Sequence, residues 1–211
     1  MRVFLCFLCL SLPAFSAQEV YTFVQKVKEE RNKITWTLNA KPEQLSIEGV
    51  DKDSKTVITG SPTYRFTTFM YESPTTSYVI ETSGSVLSVR GTTESGVRKA
   101  KSYNIGSEPW VQQFWFGLLP FLKSNDSSFR FSIINPKDFT RVRMIAHKER
   151  IVPLTIEGKD VPALQVKITL QGFKSMFWTG HVWYDPQTYT FLKYEANSGP
   201  NTPLMTVIHK Q

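Results

Sequence analysis

The sequence has little cysteine: its only two cysteines, Cys6 and Cys9, both lie in the first apolar run. If that run is removed on export, the remaining chain contains none. This excludes disulfide bonds, cysteine nucleophiles and thiolate metal sites. The same apolar run is shorter than the about 20 residues that a helix needs to cross a bilayer.

Motifs that carry chemistry are also missing. The sequence contains no HExxH, no G-x-S-x-G nucleophile elbow, no P-loop and no G-x-G-x-x-G. It therefore predicts no metal, no cofactor and no enzymatic activity. A Ser/His/Asp triad assembled from distant positions has no sequence motif, so a hydrolase stays open as an alternative.

The N-terminus has the order of a secretory signal peptide. Arg2 precedes an apolar run from Val3 to Leu12, and the small-residue stretch Ala14-Phe15-Ser16-Ala17 follows. We predict a signal peptide over 1–16 and a single β-rich domain over 17–211. Cleavage after Ser16 is favoured over cleavage after Ala17, because it places small residues at both recognition positions.

These features predict an exported protein that is monomeric and has no transmembrane span after cleavage. In a Gram-negative source the compartment is the periplasm, which a cysteine-free mature chain favours. The sequon Asn125-Asp126-Ser127 points the other way, to a eukaryotic secretory route. The formal net charge of +7 fits contact with anionic lipid or acidic glycans. Its basic clusters are too short to indicate nucleic acid.

Apolar side chains alternate with polar ones in many short segments, of which 164–170 is the clearest. Clusters of Gly, Pro, Asp and Ser separate these segments and predict turns, among them a hairpin at Asp185-Pro186-Gln187-Thr188. One apolar segment has a helical pattern from Pro109 to Leu119, with Trp110, Phe114 and Leu118 as its buried stripe. We expect a mainly β fold: a strongly curved antiparallel sheet, a half-barrel or open barrel, with one main helix over its concave face.

The region 105–200 resembles an uncharacterised family of bacterial exported proteins. The resemblance rests on Val161-Pro162-Ala163-Leu164-Gln165-Val166, on Trp183-Tyr184-Asp185-Pro186 and on a strand ending in Tyr194-Glu195. It implies a fold similar to the LolA/LolB-like lipoprotein carriers, which hold acyl chains on the concave face. The family pattern supplies no catalytic residues. This chain departs from the carriers by having a single strong helix.

Three functions follow, in order of preference. The first is binding or carriage of an apolar ligand such as a lipid or acyl chain. The second is an envelope structural or assembly component that binds a protein partner, and the third is the hydrolase. The predicted ligand wall is aromatic, with a histidine beside it and two arginines for an anionic headgroup: Trp115, Phe131, Trp178, Trp183, His181, Arg141 and Arg143. Period two places Trp178 and Trp183 on opposite faces of a strand predicted over 174–184. A solid core with solvated arginines is the alternative.

Overall fold

The structure is a computed structural model, and it describes residues 17–172, 178–197 and 202–210. The predicted signal peptide and the start of the strand predicted over 174–184 lie outside these ranges. The described elements, in chain order, are β1 Ala17–Val27, β2 Glu30–Ala40, β3 Leu45–Val50, β4 Lys55–Gly60, β5 Phe66–Glu72, β6 Ser77–Ser83, β7 Val86–Thr92, β8 Arg98–Asn104, α1 Phe114–Gly117, α2 Leu119–Lys123, β9 Ser128–Ile134, β10 Arg141–Ile156, β11 Lys159–Leu170, β12 Thr179–Tyr184, β13 Phe191–Asn197 and β14 Leu204–Lys210.

In the strands, the alternation of apolar and polar residues produces one buried face, as predicted. In β11, Val166 and Ile168 are fully buried, while Gln165 and Lys167 between them are only partly buried. In β2 the buried Trp36 lies over Gly49 of β3, where an added Cβ would come within 2.7 Å of the indole ring. Glycine is therefore needed at that position for the ring to lie against the sheet.

The strands form one 14-stranded antiparallel sheet in the order β8-β7-β6-β5-β4-β3-β2-β1-β14-β13-β12-β11-β10-β9. Tight turns join neighbours, as at Glu157 and Gly158, which both have positive φ as a two-residue hairpin turn requires. The predicted Asp185 hairpin is confirmed, since its carboxylate accepts hydrogen bonds from the backbone N–H groups of Gln187 and Thr188. The sheet does not close into a barrel by strand pairing, because β8 and β9 are its two edges.

The chain between β8 and α1 covers the edge of β9. Ser132 of β9 donates its N–H to the carbonyl of Pro109 and accepts from the N–H of Val111, both at 2.9 Å. The side-chain amide of Gln112 pairs with the N–H and the carbonyl of Ile134. Tyr103 of β8 donates its hydroxyl to the carbonyl of Phe139, in the β9–β10 turn. Loop and side-chain contacts thus link the two edges.

The helix differs from its predicted bounds. Trp110 forms a parallel bridge to Ser132 instead of a helical turn, so the helical segment comprises α1 and α2. Pairing with β9 satisfies the backbone of residues 109–111, and this long-range contact overrides the local helical pattern. Pro120 does not end the helix but lies in the first turn of α2, where its missing N–H has no cost.

Apolar side chains form two clusters on opposite faces of the sheet. The larger lines the concave inner face and includes the helical segment. The smaller lies on the outer face of the C-terminal half and contains Leu154, Ile156, Ala163, Trp183 and Leu192. The predicted fold class is confirmed: a mainly β protein with a strongly curved antiparallel sheet and one short helical segment across the concave face.

Candidate ligand-binding cavity

Aromatic residues of α1 fill much of the concave interior. Trp115 contacts Phe23 and Trp36 edge to face, each with a ring-centroid distance of 5.8 Å. Phe114 contacts Phe131 on the other side, at 6.0 Å. The hydroxyl of the fully buried Tyr184 donates to the carbonyl of Phe114 at 2.8 Å. The helical segment is therefore held between the N-terminal and the C-terminal strands.

A cavity of about 370 Å³ remains beside this segment, at one mouth of the half-barrel. Its apolar wall combines strands β1 and β2, the helical segment and the start of β13: Tyr21, Phe23, Leu38, Trp115, Phe116, Leu119 and Phe191. Its polar rim comes from the strand ends and the turns: Glu19, Tyr64, Lys123, Thr188, Tyr189 and Thr190. The cavity is thus lined by both apolar and polar groups, and polar atoms contribute the larger part of its exposed surface.

The rim carries a carboxylate, a cation and phenol groups that stay neutral. Burial and the hydrogen bond from the Tyr21 hydroxyl to Glu19 raise the pKa of Tyr21 well above its ordinary value. Burial likewise raises the pKa of Tyr64, and the charge of Glu19 adds to the effect. Both phenols therefore keep their protons and remain hydrogen-bond donors at neutral pH. The Lys123 ammonium lies over the Tyr64 ring at 5.9 Å.

Several polar atoms near the cavity have no partner among the described residues. The indole N–H of Trp36, a side chain that is 2% exposed, and the indole N–H of Trp115 are both buried without an acceptor. His209 contacts Phe23 and Tyr21, and its Nδ1 is also unpartnered. Burial lowers the pKa of His209, so its imidazole is neutral at neutral pH. Unpaired buried polar atoms of this kind are rare in native interiors.

The structure separates the predicted wall residues. Trp115 lines the cavity, whereas Phe131 is fully buried between Phe114 and Phe129 on the inner face. Trp178 packs against the inner cluster and donates its indole N–H to the carbonyl of Asn197. Trp183 belongs to the outer cluster, so the expectation that Trp178 and Trp183 face opposite sides is met.

His181, Arg141 and Arg143 do not line the cavity. The His181 ring lies beside Trp183 at 5.7 Å. Arg141 donates to Ser132 Oγ at 2.7 Å and pairs with Glu108 at 3.0 Å, with only 11% of its side chain exposed. Arg143 lies 3.7 Å from the same carboxylate and is 61% exposed. The two arginines share a face, as predicted, but Arg141 links β10 to the chain that covers β9.

Sequence reasoning did not identify the residues of the rim. Tyr64, Lys123 and Tyr189 lie in turns or at an element end, and long-range pairing of β1 with β14 brings their neighbours together. Local periodicity carries no signal for such a cluster. Among the described ranges no group of at least three His, Cys, Asp or Glu side chains is placed to hold a metal ion. No helix in those ranges is long and apolar enough to span a membrane.

Comparison with known proteins identifies the fold. A beta-barrel-like protein of the domain of unknown function DUF1849 from Brucella abortus superposes with a TM-score of 0.59 at 6% identity, covering 95% of this chain and 98% of that one. The fold is shared with that protein. This confirms, at the level of fold, the resemblance to an uncharacterised bacterial family.

Two further solved structures are more distant. The hypothetical lipoprotein YmcC from Escherichia coli gives a TM-score of 0.45 at 14% identity, covering 95% of this chain and 85% of that one. The LolA superfamily protein NE2245 from Nitrosomonas europaea gives 0.23 at 9% identity, with coverages of 95% and 86%. These superpositions are looser, and the shared fold rests on the Brucella structure. No protein-family model and no curated protein matches the sequence.

Proposed function

We propose that this protein is an exported, non-catalytic binding protein whose cavity holds the apolar tail of one single-chain amphiphile. The observation that carries the proposal is the cavity between α1 and the β1 wall, which is lined both by aromatic side chains and by polar groups. An amphiphile presents both kinds of surface, whereas small-molecule pockets in general are mostly apolar.

The size of the cavity limits the ligand. Its volume of about 370 Å³ lies near the lower end of the about 300–1,000 Å³ typical of small-molecule sites. Side chains of the inner cluster, with the aromatic residues of α1 packed among them, occupy the rest of the concave face. One chain fits such a space, while a lipid with several acyl chains does not.

The rim suits the polar head of an amphiphile. Lys123 supplies a positive charge, and the neutral Tyr64 hydroxyl supplies a hydrogen-bond donor. An anionic or zwitterionic headgroup accepts from such groups by charge-assisted hydrogen bonds. Glu19 is already engaged by the Tyr21 hydroxyl, which reduces its repulsion of an anionic head.

Export is part of the proposal and rests on the leader. We expect the exported form to begin at Ala17 or Gln18, because cleavage after Ser16 or Ala17 satisfies the small-residue rule. N-terminal sequencing of the protein collected outside the cytoplasm measures this directly. Retention of Met1 on the exported form would contradict it.

Quenching by a brominated fatty acid tests the binding site. Bromine quenches indole fluorescence on contact, and Trp115 is the tryptophan that lines the cavity. We expect saturable quenching that falls by more than half in Trp115→Phe. The matched control is Trp183→Phe, because Trp183 lies on the outer face, and it should leave the quenching curve unchanged in shape. Equal loss in both variants, or no saturation in the unaltered protein, would refute the proposal.

A further inference from the structure

The outer face of the N-terminal half carries a groove of about 880 Å³. Its floor is a row of directly opposed residues on neighbouring strands β4 to β8, namely Val57, Met70, Val79, Arg90 and Ala100. Neighbouring strands lie about 4.8 Å apart, so the row runs about 19 Å across the sheet. An extended segment of about six residues has this length.

The floor exposes apolar surface that nothing in the described chain covers. Met70 is 47% exposed, while Phe69 beside it on the inner face is 2% exposed. Val57 and Val79 flank Met70 and are partly buried. Apolar side chains in a contiguous row, with charged side chains around them, are typical of an interaction surface.

The charged residues of the groove are mostly compensated, and one arginine is left without an ion pair to a described residue. It is lined by Lys55, Arg90, Arg98 and Lys99, with Glu72 as the only carboxylate. Lys55 pairs with Glu48, and Arg90 pairs with Glu81. Arg98 forms no salt bridge with any described residue and is exposed. The unpaired guanidinium charge is therefore that of Arg98, where β7 ends and β8 begins.

We propose that this groove binds an extended acidic segment of a partner protein. An apolar side chain of that segment lies on Met70, and one of its carboxylates pairs with Arg98. The groove is separate from the cavity, so this proposal does not depend on the amphiphile.

Two other occupants fit the groove less well. A second copy of this chain, related by a two-fold axis, would bring Arg98 and its cationic neighbours against the same residues, and like charges repel. A flat bilayer surface does not reach the floor of a concave groove, where Val57 and Val79 are partly buried. An extended acidic chain matches both the length of the row and the positive charge of Arg98.

Fluorescence anisotropy with synthetic peptides tests the proposal. The probe is a labelled peptide in which leucines precede aspartates, and the comparison peptide carries lysines in place of the aspartates. We expect the acidic peptide alone to bind, with affinity that falls as salt is added. Arg98→Glu should weaken binding about tenfold or more, since it replaces attraction by repulsion.

The controls separate this site from other basic surface and from the cavity. Arg31→Glu changes an exposed cation on β2 and should alter binding by less than about twofold. Leu119→Trp fills the cavity and should leave peptide binding unchanged. Circular dichroism melting confirms that each variant is folded. Equal binding of both peptides, an equal effect of Arg31→Glu, or binding to phosphatidylglycerol vesicles without peptide binding would each overturn the proposal.

Discussion

The two halves of the sheet, β1 to β8 and β9 to β14, differ in how much apolar surface they bury on their outer faces. In the C-terminal half, β10 and β11 are 16 and 12 residues long, and the outer end of their hairpin contributes to a small apolar cluster around Trp183. In the N-terminal half, β3 to β8 are only 6 or 7 residues long. No described segment covers the row around Met70. The long β10–β11 hairpin thus helps to bury the outer face of its own half, while the outer face around Met70 stays exposed.

A change in register helps to form the C-terminal cover. The pairing of β10 with β11 shifts between Lys148 and Ile151. An irregularity of this type bends a strand and re-aims its side chains. Beyond it, Leu154 and Ile156 join Trp183 on the outer face instead of the inner cluster. The pairings of β6, β7 and β8 with one another show no such shift.

The largest expected effect comes from truncating one exposed-face residue in each half. Trp183→Ala should lower the free energy of unfolding by about 3 kcal/mol, because it empties the centre of the outer cluster. Met70→Ala should change it by less than about 0.5 kcal/mol, because Met70 has solvent on one side. Urea denaturation measures both values. Similar losses for the two variants would mean that the outer faces of the two halves do not differ in burial.

The next largest effect is expected at the contact between Arg141 and Glu108, which links β10 to the chain that covers β9. Arg141→Ala should cost about 2 kcal/mol, since it removes the guanidinium that pairs with the partly buried Glu108 carboxylate and donates to the buried Ser132 hydroxyl. Arg143→Ala is the matched control and should cost less than about 0.5 kcal/mol, because Arg143 is 61% exposed. Thermal unfolding followed by calorimetry distinguishes the two. A larger loss for Arg143→Ala would contradict the assignment of the stabilising contact with Glu108 to Arg141.

A smaller effect is expected where the C-terminal half holds the helical segment. Tyr184→Phe removes the hydroxyl that donates to the carbonyl of Phe114. We expect a loss of about 1 kcal/mol, because the carbonyl is left without this donor in the interior. Chemical denaturation gives the loss, and hydrogen exchange of the α1 amides should increase in the variant. Unchanged exchange would show that α1 is held by ring packing alone.

The smallest effect is the acid dependence of two turns. Hydrogen bonds from Thr140 lower the pKa of Asp138, and hydrogen bonds from Thr188 and Gln187 lower that of Asp185. A carboxyl with a lowered folded-state pKa stabilises the fold above its unfolded value of about 3.9. This contribution is lost as the pH falls through the folded value. We expect the melting temperature to fall less steeply below about pH 4 in Asp138→Asn and Asp185→Asn, and an unchanged slope would contradict this.

The parts of the fold that depend on local sequence patterns could be predicted. Alternation over 164–170 and the Asp185 turn predicted β11 and the β12–β13 hairpin, and both are present. The helix was misplaced because pairing of Trp110 with Ser132 is a long-range contact that a local pattern does not contain. The outer cluster was missed for a similar reason: apolar alternation does not say which face of a sheet a long hairpin will cover.

The candidate site was less predictable than the fold. Of the residues predicted to form its wall, Trp115 lines the cavity. It could be predicted because it lies in the apolar helical segment, which packs on the concave face. The polar rim joins β1, the turn before β5, the end of α2 and the turn before β13. Sequence distance hides such a cluster until the sheet order is known. The basic groove likewise depends on strand register, which aligns Met70 with Val57 and Val79.

Native mass spectrometry of the protein purified gently from its own host tests the central claim most directly. The account predicts one bound single-chain amphiphile per chain, released on collision, and its absence in Leu119→Trp, where the new side chain fills the cavity. Met70→Ala, on the opposite face, should retain the bound mass. A protein that carries no such mass even after incubation with lysophospholipid, or one whose bound mass survives in Leu119→Trp, would contradict it.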